Sequence, residues 1–216
     1  DTITDVDSVN YGGIYSLAVL GTELFFGAEA TDPLDTIGTE LYKSDGTTIT
    51  LAEDILPTAD ESSSPSNLYA FNGRLYFQAA RAQDPNNVWS KEYELFEYYY
   101  DNSDVDPNNW AWVLTDKDLN PTTNTSGFGN SSYPGNFMAN GSTLYFSCNN
   151  GFGGYNTELW TLDTTGIASA AIVDLDPINF PDEGIRVSGS SSPSSMVALN
   201  SVKVVFRAND GVNGTE

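Results

Sequence analysis

The chain has 216 residues, 39% hydrophobic and 12% aromatic, which is enough for a packed core and too aromatic for a disordered chain. Thirty Asp and Glu oppose eight Lys and Arg, a formal net charge of −22, so nucleic acid and anionic membrane surfaces are disfavoured as partners and cations are attracted. With no His, the chain lacks Ser-His-Asp and Cys-His nucleophile systems and the usual zinc sites.

Read from the N-terminus, four elements recur. An apolar run follows a turn at Leu24-Phe25-Phe26, Leu75-Tyr76-Phe77, Leu144-Tyr145-Phe146 and Val204-Val205-Phe206. The turns before them are Gly21-Thr22, Asn72-Gly73, Asn140-Gly141 and Asn200-Ser201, and Asn-Gly is a hairpin signal because both residues tolerate positive φ. Upstream of three of these runs stands Ser64-Pro65-Ser66-Asn67-Leu68, Tyr133-Pro134-Gly135-Asn136-Phe137 or Ser192-Pro193-Ser194-Ser195-Met196, where Pro fixes the start of a strand. Downstream come Gly38 to Thr47, Glu94-Leu95-Phe96 and Asn156 to Thr165, with Gly214-Thr215-Glu216 beginning a fourth copy. An Asp-x-x-Pro exit closes each unit: Asp54 to Pro57, Asp118 to Pro121 and Asp174 to Pro177.

Each unit therefore reads as a four-stranded antiparallel meander. The fold expected is all-β, a β-propeller-like array of about four four-stranded antiparallel units. Phe26, Phe77, Phe146 and Phe206 are spaced by 51, 69 and 60 residues, close to a propeller blade with longer loops. The surplus of the second unit is placed near Tyr98 to Trp112, and another insertion around Ile178 to Gly189. The units expected are 1–62 with a partial N-terminal strand, 63–130 with the aromatic insertion, 131–190, and an incomplete 191–216. Starting late in one unit and stopping midway through another, the chain reads either as a closed ring whose last blade is completed by the first strand or as a window from a longer array, and the missing third strand after Glu216 favours the window.

The stretches Gly38 to Thr47 and Asn156 to Thr165 resemble the ELWxxDGT repeat family, whose unit carries Gly-x-Glu-Leu-Trp-x-x-Asp-Gly-Thr, an Asp-Ile-x-Pro segment, Ser-x-Pro and a Leu-Tyr-Phe strand. The departures are Tyr42 and Phe96 in place of Trp, Tyr98 to Asp101 in place of Asp-Gly-Thr, and Asp163-Thr164-Thr165 after Trp160. The resemblance implies a propeller-type repeat of large secreted or cell-surface bacterial proteins, without a shared activity.

Among candidate chemistries, carboxylates come first. Glu40, Glu94, Glu158 and Glu216 recur once per unit, and a residue needed in every unit is expected to hydrogen-bond a neighbouring turn or unit rather than to catalyse. Asp101, Asp104 and Asp106, and likewise Asp174 and Asp176, place oxygens close together and are the candidate calcium ligands, although neither group matches an EF-hand loop. Tyr98, Tyr99, Tyr100, Trp110 and Trp112 cluster in the longest insertion; as loop residues they would stack on sugar or anchor a partner, and the alternative is a local mini-core. Cys148, the only cysteine, reads as a small buried hydrophobe.

The recurring carboxylates point to a non-catalytic structural or adhesive module, and the resemblance implies that it belongs to a secreted or cell-surface bacterial protein and is extracellular. It would bind other protein subunits or surface glycans and could self-assemble, with no nucleic acid and no membrane insertion. The alternatives are a carbohydrate-binding module and a polysaccharide-active enzyme with carboxylates at a propeller mouth.

Overall fold

The structure, a computed structural model, describes residues 11–30, 37–57, 61–84, 87–120, 122–123, 129–149, 156–163, 190–210 and 213–216. These are all-β, with one 3₁₀ turn at Pro107–Asn109 and no α-helix. They fall into two compact units, Asp1–Asp116 and Lys117–Glu216.

The first unit holds two four-stranded antiparallel sheets. One is β1 (Tyr11–Leu20), β2 (Glu23–Ala30), β3 (Thr39–Ser44) and β4 (Ile49–Glu53); the other is β5 (Ser66–Phe71), β6 (Arg74–Asp84), β7 (Asn87–Asp101) and β8 (Ala111–Lys117). In both, the strands neighbour each other in chain order. The second unit carries a third sheet of β9 (Gly135–Asn140), β10 (Thr143–Asn149) and β11 (Thr157–Asp163), and a two-stranded fourth of β12 (Ser194–Asn200) and β13 (Lys203–Arg207). The expected set of four strands is thus complete twice. The third and fourth sheets show three and two strands among the described residues.

Side chains alternate across a strand, so Phe25 and Phe26 leave opposite faces of the first sheet, and both are fully buried. The face with Phe25, Ala18, Leu41 and Ala52 packs on the face of the second sheet that carries Leu68, Leu75, Phe77, Phe96 and Tyr98. The face with Phe26 pairs it with Tyr42, rings stacked at 6.4 Å beside Ala28, Leu24 and Ile49. A doubly apolar central strand is what stacked sheets require, and it explains the consecutive aromatic residues of the repeated run.

Three local expectations are corrected. The hairpin turns are the two-residue pairs Gly21-Thr22, Asn72-Gly73, Gly141-Ser142 and Ser201-Val202, set by the ladder ends Leu20↔Glu23, Phe71↔Arg74, Asn140↔Thr143 and Asn200↔Lys203. Only Asn72 and Gly73 both take positive φ, at 50° and 75°; in the third turn Asn140 ends its strand and Gly141 is the first turn residue. Second, the surplus of the second unit is largely strand: β7 runs 15 residues, so Tyr98 to Tyr100 lie on it and Trp112 on β8, leaving Trp110 alone in the connection. Third, the Ser-x-Pro element has a fourth, Pro-less copy at Gly13-Ile14-Tyr15-Ser16. Positive φ recurs three residues apart at Gly13 and Ser16, Ser64 and Asn67, Tyr133 and Asn136, and Ser192 and Ser195. That shared backbone signature is independent of the proline.

Candidate functional site

Two of the recurring glutamates, Glu40 and Glu158, each tie one sheet to the start of the next. In the first unit Glu40, on β3, is fully buried and accepts from three donors: Ser63 N–H at 2.7 Å, Ser63 Oγ–H at 2.6 Å and Ile55 N–H at 2.9 Å. The residues around it complete a clasp onto the start of the next sheet. Thr39 N–H donates to Ser62 Oγ at 2.9 Å, Ser64 N–H to the Thr39 carbonyl at 3.0 Å, and Ala80 N–H to the Ser63 carbonyl at 2.7 Å.

The second unit repeats the serine side of this set residue for residue. Glu158 accepts from Ser191 N–H at 3.1 Å and from its hydroxyl, Thr157 N–H donates to Ser190 Oγ at 3.0 Å, Ser192 N–H to the Thr157 carbonyl at 2.9 Å, and Asn209 N–H to the Ser191 carbonyl at 2.8 Å. Each serine of Ser62-Ser63-Ser64 and of Ser190-Ser191-Ser192 thus has its own partner. Glu94 and Ser132, at the corresponding positions, are both fully buried, and Asn149 N–H donates to the Ser132 carbonyl at 2.7 Å. The two serines before each Ser-x-Pro element went unread in the sequence, where serine is too common to stand out; their fixed place before the proline was the available signal. Burial pushes the Glu40 carboxyl up to about 7, against the pull of its donors and with nearby Asp54 adding to the rise.

The aromatic candidates divide between core and surface. Tyr98 is buried, stacked on Trp112 at 4.9 Å and 5°, and both rings meet Phe25 edge-on at 6.0 and 5.7 Å. Its hydroxyl donates to the Ala52 carbonyl of the first sheet at 3.0 Å, and burial raises its pKa above the usual phenol range. Lys43 lies 4.9 Å over the Trp112 ring while pairing with Glu23 at 2.8 Å. Tyr99 carries the Arg74 guanidinium at 3.8 Å, and Arg74 is itself held by buried Glu97 at 2.8 Å. Tyr100 and Trp110 are the exposed pair, at 47% and 39%.

Trp112, half-buried against this core, should accordingly cost about 2–4 kcal/mol on truncation to Ala, somewhat less than a fully buried aromatic residue. Trp110→Ala should stay within about 1 kcal/mol. Urea unfolding of the two variants checks this, and equal losses would contradict the division.

Of the acidic candidates of the second sheet, Asp101 ends β7 and Asp104 and Asp106 sit in the β7–β8 connection, and each caps its own turn. Asp101 accepts from Ser103 N–H at 2.9 Å, and Asp104 from Asp106 N–H at 2.8 Å and Asn109 Nδ2 at 2.9 Å. Asp106 accepts from Asn108 N–H at 3.0 Å and Nδ2 at 2.7 Å. These donors hold Asp101 and Asp104 below the usual carboxylate range, the Ser103 and Asp106 N–H groups foremost. Among the described residues no three His, Cys, Asp or Glu side chains gather as an ion cage. Asp174 and Asp176 lie outside the described residues. Cys148 is fully buried, its sulfur 3.4 Å from the Ser132 carbonyl.

No family model, curated protein or solved structure matches the chain. No described helix is long and apolar enough to cross a membrane.

Proposed function

We propose that the chain is a non-catalytic structural or adhesive module of a secreted or cell-surface bacterial protein, and that it works by binding neighbouring subunits or surface polymers. In this reading its sheets are blades of a β-propeller-like array of the ELWxxDGT kind. The chain-order meanders and the clasp from the third strand of one sheet to the start of the next support that architecture.

The observation that carries the functional reading is the commitment of the recurring carboxylates. Glu40 and Glu158 are saturated by serine and backbone donors inside the protein, which is the work of a fastener rather than of an acid or base facing substrate. The extracellular setting rests on the family resemblance. A second reading, a carbohydrate-binding module, is favoured by exposed Tyr100 and Trp110 beside the acidic turn, since exposed aromatic faces suit sugar rings.

One experiment separates these. The immobilised chain is presented with its own soluble copies and with a panel of surface polysaccharides, and the solution is assayed for released reducing ends. Saturable binding without release is expected. Polysaccharide cleavage would sink the non-catalytic reading, and a tenfold or greater loss of glycan retention in Tyr100→Ala and Trp110→Ala would favour the second reading over subunit docking.

A further inference from the structure

The β7–β8 end of the second sheet uses one kind of contact twice. Tyr99 carries the Arg74 guanidinium 3.8 Å from its ring centroid, and Trp112 carries the Lys43 ammonium at 4.9 Å. Each cation also meets a carboxylate at 2.8 Å, Glu97 for Arg74 and Glu23 for Lys43. Ring face and carboxylate attract the same positive charge, so the two contacts reinforce each other.

Tyr100 and Trp110 stand at the same end with no such cation among the described residues. Tyr100 is the next-to-last residue of β7, Trp110 directly precedes β8, and Tyr100 meets Trp112 edge-on at 5.5 Å. Trp112 in turn touches Phe25 of the first sheet, so Tyr100 lies at the rim of the two-sheet core, inside one compact unit. The Trp110 indole is held in place by its own turn, its Nε1–H donating to the Asp104 carbonyl at 2.9 Å. Between the two rings the chain carries Asp101, Asp104 and Asp106, and it has no Lys or Arg from Lys91 to Lys117. The rings and the carboxylates therefore offer to the outside the combination that Arg74 and Lys43 fill within.

We propose that Tyr100 and Trp110, with the carboxylates of Asp101, Asp104 and Asp106 beside them, bind a glycan that carries free amino groups, a glucosamine-type polymer in its ammonium form. The negative ring faces take the C–H side of the sugar and its positive charge together, and the carboxylates pair with the ammonium groups. At 47% and 39% exposure the two rings are too open to enclose a small ammonium ion, and an open rim suits an extended polymer. The net charge of −22 draws a polycation and repels an acidic polysaccharide or a second copy of the chain. This inference rests on the carbohydrate-binding reading above and names its ligand class.

The test is isothermal titration calorimetry of the 216-residue chain with a glucosamine hexamer, its fully N-acetylated counterpart and hexalysine. A buffer of about pH 5.5 keeps the sugar amines protonated, while Asp101 and Asp104 stay ionised because their donors hold them low. The glucosamine hexamer should bind at least about tenfold more tightly than the acetylated form and than hexalysine, with the preference over the acetylated form shrinking as salt rises. Trp110→Ala and Asp101→Asn/Asp106→Asn should each lose about tenfold with an unchanged melting temperature. The asparagines keep the Oδ1 acceptors that take the Ser103 and Asn108 N–H groups, so the turns survive the loss of charge.

Equal binding of the two sugars would leave the carbohydrate reading intact and overturn this inference. Binding of neither sugar overturns both. Hexalysine held as tightly as the glucosamine hexamer would show a surface that reads charge without a sugar ring, and the proposal fails. It fails likewise if Trp110→Ala binds the glucosamine hexamer as wild type does, since the polymer is then held by diffuse charge elsewhere.

Discussion

Gly38→Ala is expected to cost about 4 kcal/mol or more, among the largest effects available to a single methyl group. Gly38 has φ +78°, and a Cβ there would sit 2.1 Å from the Glu61 carbonyl oxygen and 2.7 Å from its carbon. The obstacle is backbone, and that backbone cannot retreat. Ser62, Ser63 and Ser64, the three residues after Glu61, are all tied to Thr39 or Glu40, and Glu61 itself is ion-paired with Lys91. Gly46→Ala is the control, because Gly46 has φ +92° with open space around its missing Cβ. It should cost only the left-handed backbone penalty, about 1–2 kcal/mol. Denaturant unfolding of both variants reads the difference, and equal costs would show that close approach of the sheets is not what selects glycine at position 38.

Glu40→Ala is the second large effect, with an expected loss of about 3 kcal/mol. It strands the buried N–H groups of Ser63 and Ile55 that the carboxylate now accepts. Glu40→Gln should lose less, since the amide can still accept from Ser63 N–H and donate to Ser63 Oγ, and meets only Ile55 N–H with the wrong polarity. The two variants also differ from wild type in their pH response. Glu40 titrates near 7 when folded and near 4.5 when unfolded, so the folded chain binds the proton more tightly. That stabilisation is complete below about pH 4.5 and is lost as the pH rises through 7, a swing of about 3 kcal/mol across the window. Glu40→Gln has no such group, so its deficit relative to wild type should shrink between pH 5 and pH 8. A deficit that stays constant would mean that Glu40 is ionised throughout, with its three donors outweighing burial.

Much of the fold was legible because a period-2 pattern with two consecutive aromatic residues admits few solutions. Leu24-Phe25-Phe26 and Leu75-Tyr76-Phe77 had to be strands covered on both faces, and the turn residues before them set where each hairpin reverses. The recurrence of Glu40 and Glu158 raised the expectation of a hydrogen bond to a neighbouring turn, since asymmetric chemistry does not repeat, and both side chains make one. The aromatic candidates were less legible. Composition alone does not tell Trp110 from Trp112 two residues on; they differ in which sheet face, or none, lies opposite, and that depends on how far β7 and β8 extend.

The sequence by itself determined the all-β class, the repeated meander and the acidic, histidine-free surface chemistry, because these follow from local periodicity, turn preferences and residue counts. Only the tertiary structure decided that three consecutive serines and a buried glutamate form one clasp, that Gly38 exists for the carbonyl of Glu61, and that Tyr98 and Trp112 belong to the core while Tyr100 and Trp110 face solvent. Each of those pairs residues more than a dozen positions apart or distinguishes near neighbours by their surroundings. Such relations arise when one sheet is laid on another, a step that no window of adjacent residues encodes.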